Sequence, residues 1–266
     1  MRRHISLGML VLRRIAARKG IYVIVFVGAF TVWDLAVRFR VDYDDGDFTR
    51  IELDGRPATR LHLRDSYLFD WAVLSFLGVL VIAPVIPSMI RKGSIEALHA
   101  LPFSRPGMLV GHATTGTVAY GLLMALSLLM VCVVQGAVSS YWNAGLLLVL
   151  LPVFVLAFCI TCYLTLFGVL FGSTTMSVLV TWLYVFIIPG FLQYREKALY
   201  RIADSDIGRN LMDAAYYVFP QVADMHTEGV AIIFHQDFTI MPFVVSLTTS
   251  VPALMLAVVL FRRRSF

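Results

Sequence analysis

The chain has 266 residues, 59% of them hydrophobic and 15% charged, with a mean hydropathy of +0.80, whereas a soluble domain has roughly 45–50% apolar and 25% charged residues. This balance excludes an ordinary soluble enzyme or binding module and predicts an all-α integral membrane protein, because a helix satisfies its own backbone in hydrocarbon. The net charge of +5 does not indicate nucleic-acid binding, since the basic residues sit at the edges of apolar runs and not in one patch.

In chain order, the basic segment 1–19 lacks a small-residue cleavage pattern and is expected to be retained. Six apolar runs follow as expected transmembrane helices within a single transmembrane domain: 21–37, 67–90, 108–134, 144–171, 173–192 and 240–261. An outer loop over 38–66 separates the first two, and its Asp42–Asp54 stretch reads either as a small hairpin around Gly46 or as a disordered acidic loop. A second outer segment, 193–239, holds apolar pieces at Leu211–Val222 and Val230–Phe234 that are too short to cross. These are expected as short helices dipping into the outer leaflet or lying on it, broken at Pro220. Pro84 and Pro87 fall late in the second span, while Pro152 and Pro189 interrupt the fourth and fifth.

Orientation follows from the basic residues. Arg2, Arg3, Arg13, Arg14, Arg18 and Lys19 precede the first span; Arg91, Lys92 and Arg105 flank the third; Arg262, Arg263 and Arg264 follow the sixth. Only Glu96 opposes them, whereas the outer loops are long and rich in acids. The positive-inside rule therefore predicts a multi-pass protein of the cell (plasma) membrane with both termini cytoplasmic.

The residues that commonly carry chemistry have structural readings here. Cys159 and Cys162 form a C-x-x-C deep in a span and read as small, soft packing residues; no metal or cofactor site is expected. Gly111–Thr117 lacks the lysine of a phosphate-binding loop and opens a span, so it reads as helix packing. Gly168 and Gly172 make a GxxxG that can admit a close helix neighbour or a dimer face. Asp34 and Asp70 lie near outer span ends, where water or Arg38 solvates them, and His112 is expected to meet headgroups or the inner loop.

The inner loop 91–106 carries the most information. Ser94 can cap a helix of about two turns that Pro102 ends. Ile95, Leu98 and Leu101 recur along one side, and Glu96 and His99 face the cytoplasm. A plain loop tied to headgroups is the alternative.

The run KGSIEALHALPFSRPGMLVGH resembles the corresponding loop of ABC-2 type transporter permeases, the membrane subunits of type V, exporter-like ABC transporters. The matching positions are Gly93, Glu96, Leu98, Leu101, Pro102, Ser104, Arg105 and Gly111. His112 stands where that family often has lysine, and Arg91-Lys92 where it is often acidic. The resemblance implies six transmembrane helices with an N-terminal amphipathic elbow helix (1–19), a short cytoplasmic coupling helix, and extracytoplasmic re-entrant-like helices before the last span. On the elbow, Ile5, Met9, Leu12 and Ala16 form an apolar stripe opposite Arg3, Arg14 and Arg18, although Leu7, Leu10 and Val11 interrupt the polar face. It also implies that Ser94, Ile95, Glu96, Leu98, His99, Leu101, Pro102 and Arg105 couple the bundle to a separate ABC ATPase subunit, present in two copies. ATP and magnesium would bind that partner and not this chain, and a second permease copy would complete a homodimer in the lipid bilayer. This chain is then a non-catalytic subunit that exports an unidentified substrate. A non-transporting scaffold or regulatory subunit is the alternative. An intramembrane enzyme is disfavoured, because no mid-span carboxylate pair and no nucleophile–histidine pairing is present.

Overall fold

A computed structural model describes residues 104–139, 145–197, 199–201, 205–233 and 237–263, together with Ala29, Ser75, 78–80, 82–84 and Pro87. The elbow, the first span apart from Ala29, the first outer loop, most of the second span, the inner loop up to Phe103 and the tail from Arg264 lie outside the described residues. Within them the elements are α1 (Arg105–Ser139), α2 (Gly145–Leu148), α3 (Leu150–Phe171), α4 (Thr174–Trp182), a π-helical turn (Leu183–Ile187), α5 (Ile188–Gln193), a 3-10 turn (Leu199–Arg201), α6 (Asp206–Val218), α7 (Val222–Ile233) and α8 (Met241–Arg263). No strand occurs among the described residues.

Four helical stretches are long and apolar enough to cross a bilayer, namely Pro106–Met130, Leu150–Phe171, Thr174–Gln193 and Met241–Arg263, so the protein is membrane-embedded. Their neighbours rank them. The most apolar window of α3 is 78% buried inside the protein, against 28% for Thr174–Gln193 and 33% for α8. α3 is thus the central post, packed by α8 and α1 and followed by α4. Leu122, Leu126, Val133, Leu151, Phe191 and Met255 stay exposed around it, a surface suited to acyl chains and not to water.

Small residues set the closest approaches. Gly121 of α1 lies against the Phe154 ring of α3, where an added Cβ would come within 2.5 Å of ring carbons. Gly78 faces Tyr120 in the same way, at 1.9 Å, and Gly116 sits between Thr161 and Ile82. The glycine of Gly111–Thr117 therefore serves helix packing. His112 differs from expectation: it is 1% exposed, and its Nδ1 lies 2.8 Å from the Met108 carbonyl. The imidazole is thus buried and donates a local back-bond, while the inner loop it was expected to meet lies outside the described residues up to Phe103.

Three connections have identifiable causes. Gly172 ends α3 in the left-handed region at φ 63°, and its N–H donates to the Gly168 carbonyl at 3.0 Å. This reverses the chain into α4 within two residues. Pro152 occupies the first turn of α3 and cannot donate to the Leu148 carbonyl, so α2 stops at Leu148. Pro189 likewise cannot bond back to Val185. The chain widens into the π turn just before it, with Ile188 N–H reaching the Leu183 carbonyl five residues back.

Gly121→Ala is expected to lower stability by about 1–3 kcal/mol through overpacking. Gly190→Ala has nothing within 4 Å of its added Cβ and should hold or gain up to ~1 kcal/mol from helix propensity. Thermal unfolding of the two variants in detergent distinguishes them.

Candidate functional site

Of the inner-loop residues expected to act in coupling, Ser94, Ile95, Glu96, Leu98, His99, Leu101 and Pro102 lie outside the described residues. Arg105 is the first residue of α1. Ser104 caps that helix: its Oγ accepts from the Gly107 N–H at 3.2 Å, and its carbonyl accepts from the Met108 N–H at 3.0 Å. The Ser104-Arg105-Pro106 sequence therefore marks the point where the loop gives way to a long apolar helix. Gly168 is buried within α3, while Gly172 lies just past its end as the left-handed cap. The left-handed turn accounts for the glycine at 172.

The most elaborate polar arrangement is in the hairpin of α6 and α7, between the last two apolar helices. Ser205 caps α6 by accepting from the Gly208 N–H at 3.2 Å. The helix is strongly amphipathic, yet its apolar stripe of Ile207, Leu211, Ala214 and Val218 faces outward and is exposed. Of its polar residues, Asp213 and Tyr216 face the protein, while Asp206, Arg209 and Asn210 are exposed. Arg195 Nε donates to Asp213 Oδ1 at 2.7 Å, and the guanidinium lies 3.7 Å from the Tyr216 ring centroid. The Tyr200 hydroxyl donates to the same Asp213 oxygen, the Tyr216 hydroxyl donates to Asp224 of α7, and Gln193 Nε2 donates to Asp224 at 3.0 Å. Arg195 also lies 3.8 Å from Glu196, but Glu196 is 73% exposed and adds little. One seam thus joins the end of α5 to both helices of the hairpin.

The hairpin turns at Phe219-Pro220-Gln221 with its donors satisfied. Phe219 N–H bonds the Ala215 carbonyl at 3.3 Å, Pro220 has no N–H, and Val222 N–H bonds the Pro220 carbonyl at 2.9 Å. Gln221 N–H reaches across to Ser246 Oγ of α8 at 2.9 Å. The Ser246 carbonyl in turn accepts from Ser250 Oγ at 2.7 Å, Thr249 Oγ1 at 3.1 Å and Cys159 Sγ at 3.6 Å. Cys159 therefore ties α3 to α8, and none of the three cysteines forms a disulfide. Phe219 packs on Tyr184 with centroids 4.5 Å apart, and Tyr184 packs on Tyr163 at 4.8 Å and Phe167 at 5.8 Å.

Below this tip opens a cleft of about 490 Å3. Its walls are Tyr163, Leu166 and Phe167 from α3, Tyr184 from the π turn, Thr249, Pro252, Ala253 and Leu256 from α8, and Tyr217 and Val218 from α6. No charged residue lines it. Among the described residues no cluster of His, Cys, Asp or Glu is arranged to hold a metal.

Sequence reasoning marked the apolar piece Leu211–Val222 and its break at Pro220 but missed Arg195, Asp213 and Asp224. The available signal was the three-residue spacing of Asp213 and Tyr216 on the polar side of an otherwise apolar helix.

Two groups outside the apolar spans set the response to acid. The Tyr200 hydroxyl and then Arg195 hold Asp213 below the usual carboxylate range, so its stabilisation is complete above that range and is lost as pH falls through the folded value. Burial lowers His226 of α7 to about 4 from 6.5. Its neutral form is the folded one, so stability is complete above 6.5 and declines as pH falls toward 4, where the unfolded chain binds the proton first. The hydrogen-exchange protection factors of residues 222–233, with the intrinsic acid slowing of amide exchange divided out, should therefore fall between pH 6.5 and 4, and His226→Phe should remove that window. The Asp213 response should remain at lower pH. Ser246→Ala strands the buried Gln221 N–H and should cost about 1–3 kcal/mol, read as faster exchange at 219–223 and a lower unfolding temperature.

No known protein-family profile matches the chain, and no curated protein matches it.

Proposed function

We propose that the chain is the permease subunit of an ABC-2-like exporter, working as a homodimer in the plasma membrane with two copies of a separate ATP-hydrolysing subunit. The observation that carries this reading is the inner-loop sequence from Gly93 to Gly111, with Glu96, Leu98, Leu101, Pro102, Ser104 and Arg105 at the family's positions. Two structural features support it. Ser104 caps a long apolar helix where such a loop must hand over to a span. A helix–turn–helix also stands between the last two apolar helices, with its tip against Tyr184, halfway along Thr174–Gln193.

On this reading six spans cross the membrane, the N-terminal basic segment forms the elbow, and both termini are cytoplasmic. The α6–α7 hairpin enters from the outer face as a re-entrant pair. Its outward apolar stripe then meets lipid, and its inward polar seam meets protein. A two-turn coupling helix at Ser94–Leu101 seats on the ATPase, and closure of the ATPase pair moves it as a rigid lever. ATP and magnesium stay on the partner, and this chain supplies the pathway.

The test is co-purification of an ATPase with the tagged chain, followed by a double variant, Glu96→Lys with Leu101→Trp. Coupled ATP turnover in vesicles should fall by about tenfold or more, corresponding to ~1.4 kcal/mol or more of lost coupling. Unchanged turnover, or failure of any ATPase to bind, overturns the proposal.

A further inference from the structure

We propose that the cleft beneath the hairpin tip is a binding site for the acyl chain of a bilayer phospholipid, independent of any role in ATP-driven transport. Three departures from regular helix converge on it. The π turn Leu183–Ile187 carries Tyr184 into its wall, Pro252 stands inside α8 on the opposite wall, and α6 ends at Val218 on its rim. π turns inserted in helices are frequent at functional sites, because the extra residue re-aims one side chain.

The lining chemistry selects the occupant. Its volume, about 490 Å3, falls within the roughly 300–1,000 Å3 of small-molecule sites. No charged residue is among the described residues that line the cleft, and the hydroxyls on its inner wall are engaged with one another, Tyr163 interacting with both Thr249 and Tyr184. Tyr184 lies roughly 14 Å from either end of its 20-residue helical stretch at 1.5 Å per residue. The abundant species at that depth of a bilayer is an acyl chain. The cleft also opens onto the exposed apolar flank of the protein, since Leu256, Tyr217 and Val218 are 49%, 52% and 58% exposed. A chain can therefore slide in laterally without entering water. Because lipid tails are as apolar as the wall, selectivity rests on shape and close packing and not on a gain in hydrophobicity.

The test places the full-length chain in nanodiscs of phosphatidylcholine doped with the same lipid bearing a diazirine on one acyl chain. After irradiation, adducts are mapped by peptide mass spectrometry. Adducts should concentrate on Tyr163, Tyr184 and Thr249 and should saturate as the probe fraction rises, whereas those at the exposed Leu122 and Leu151 rise linearly. Ala253→Trp fills the cleft and should lower its adducts by about tenfold while leaving Leu122 and Leu151 unchanged. Leu256→Trp, which narrows only the exposed mouth, serves if the first variant does not fold, and should lower them in the same direction. Linear labelling of the cleft, or no change in the folded variant, overturns the proposal.

Discussion

The arrangement of the second half of the chain depends on how a reversal of the backbone is satisfied inside an apolar bundle. A turn exposes amides that a helix would have bonded, and without water each must find a protein acceptor. At Phe219–Val222 one donor is removed by Pro220, two are closed locally, and the fourth, on Gln221, is answered by Ser246 of the neighbouring helix. That contact fixes the tip of the hairpin against α8. The tip in turn sets Phe219 on Tyr184, and through Tyr184 it meets Tyr163 and Phe167 of the central helix.

The hairpin's shape follows from the same accounting. A surface helix of a soluble protein buries its apolar stripe, but α6 exposes Ile207, Leu211 and Val218 and turns Asp213 and Tyr216 inward. This inversion is stable only where the outer medium is apolar and the inward polar groups are paired. Arg195, Gln193 and Asp224 supply the pairing. Asp213, with a side chain 40% exposed, keeps some access to water, which suits a seam near a membrane boundary.

Much of this was legible in the sequence. Three of the four described apolar helices start within a few residues of the expected spans, because a long uncharged run in this composition has one stable form. α3 starts only at Leu150, six residues after the expected 144, beyond the break before Pro152, and α1 continues through Ser139 into the expected loop, where nothing between Gln135 and Ser139 forces a stop. The breaks near Pro152 and Pro220 were visible because a missing N–H acts wherever it falls. Pro189 also acts, although as a widened turn upstream and not as a stop. Invisible were the side-chain pairs distant in sequence: Arg195 with Asp213, 18 positions apart, and Cys159 with Ser246, 87 positions apart, are set by packing that no local pattern encodes. The burial of His112 was invisible for a related reason, since it depends on which face of α1 meets its neighbours.

The π turn at Leu183–Ile187 also sets rotational phase. One residue beyond the α-helical count turns everything downstream by about 100° about the axis, so the faces of Thr174–Trp182 and Ile188–Gln193 are out of step by design. Gln193 reaches Asp224, and Arg195 reaches Asp213, because that offset has been inserted before them. In a straight helix of the same length both side chains would emerge on another side, and the hairpin would lose its anchor. The proline that forbids regular winding at Pro189 thus indexes the outer seam, as a single extra tooth resets the alignment of a gear.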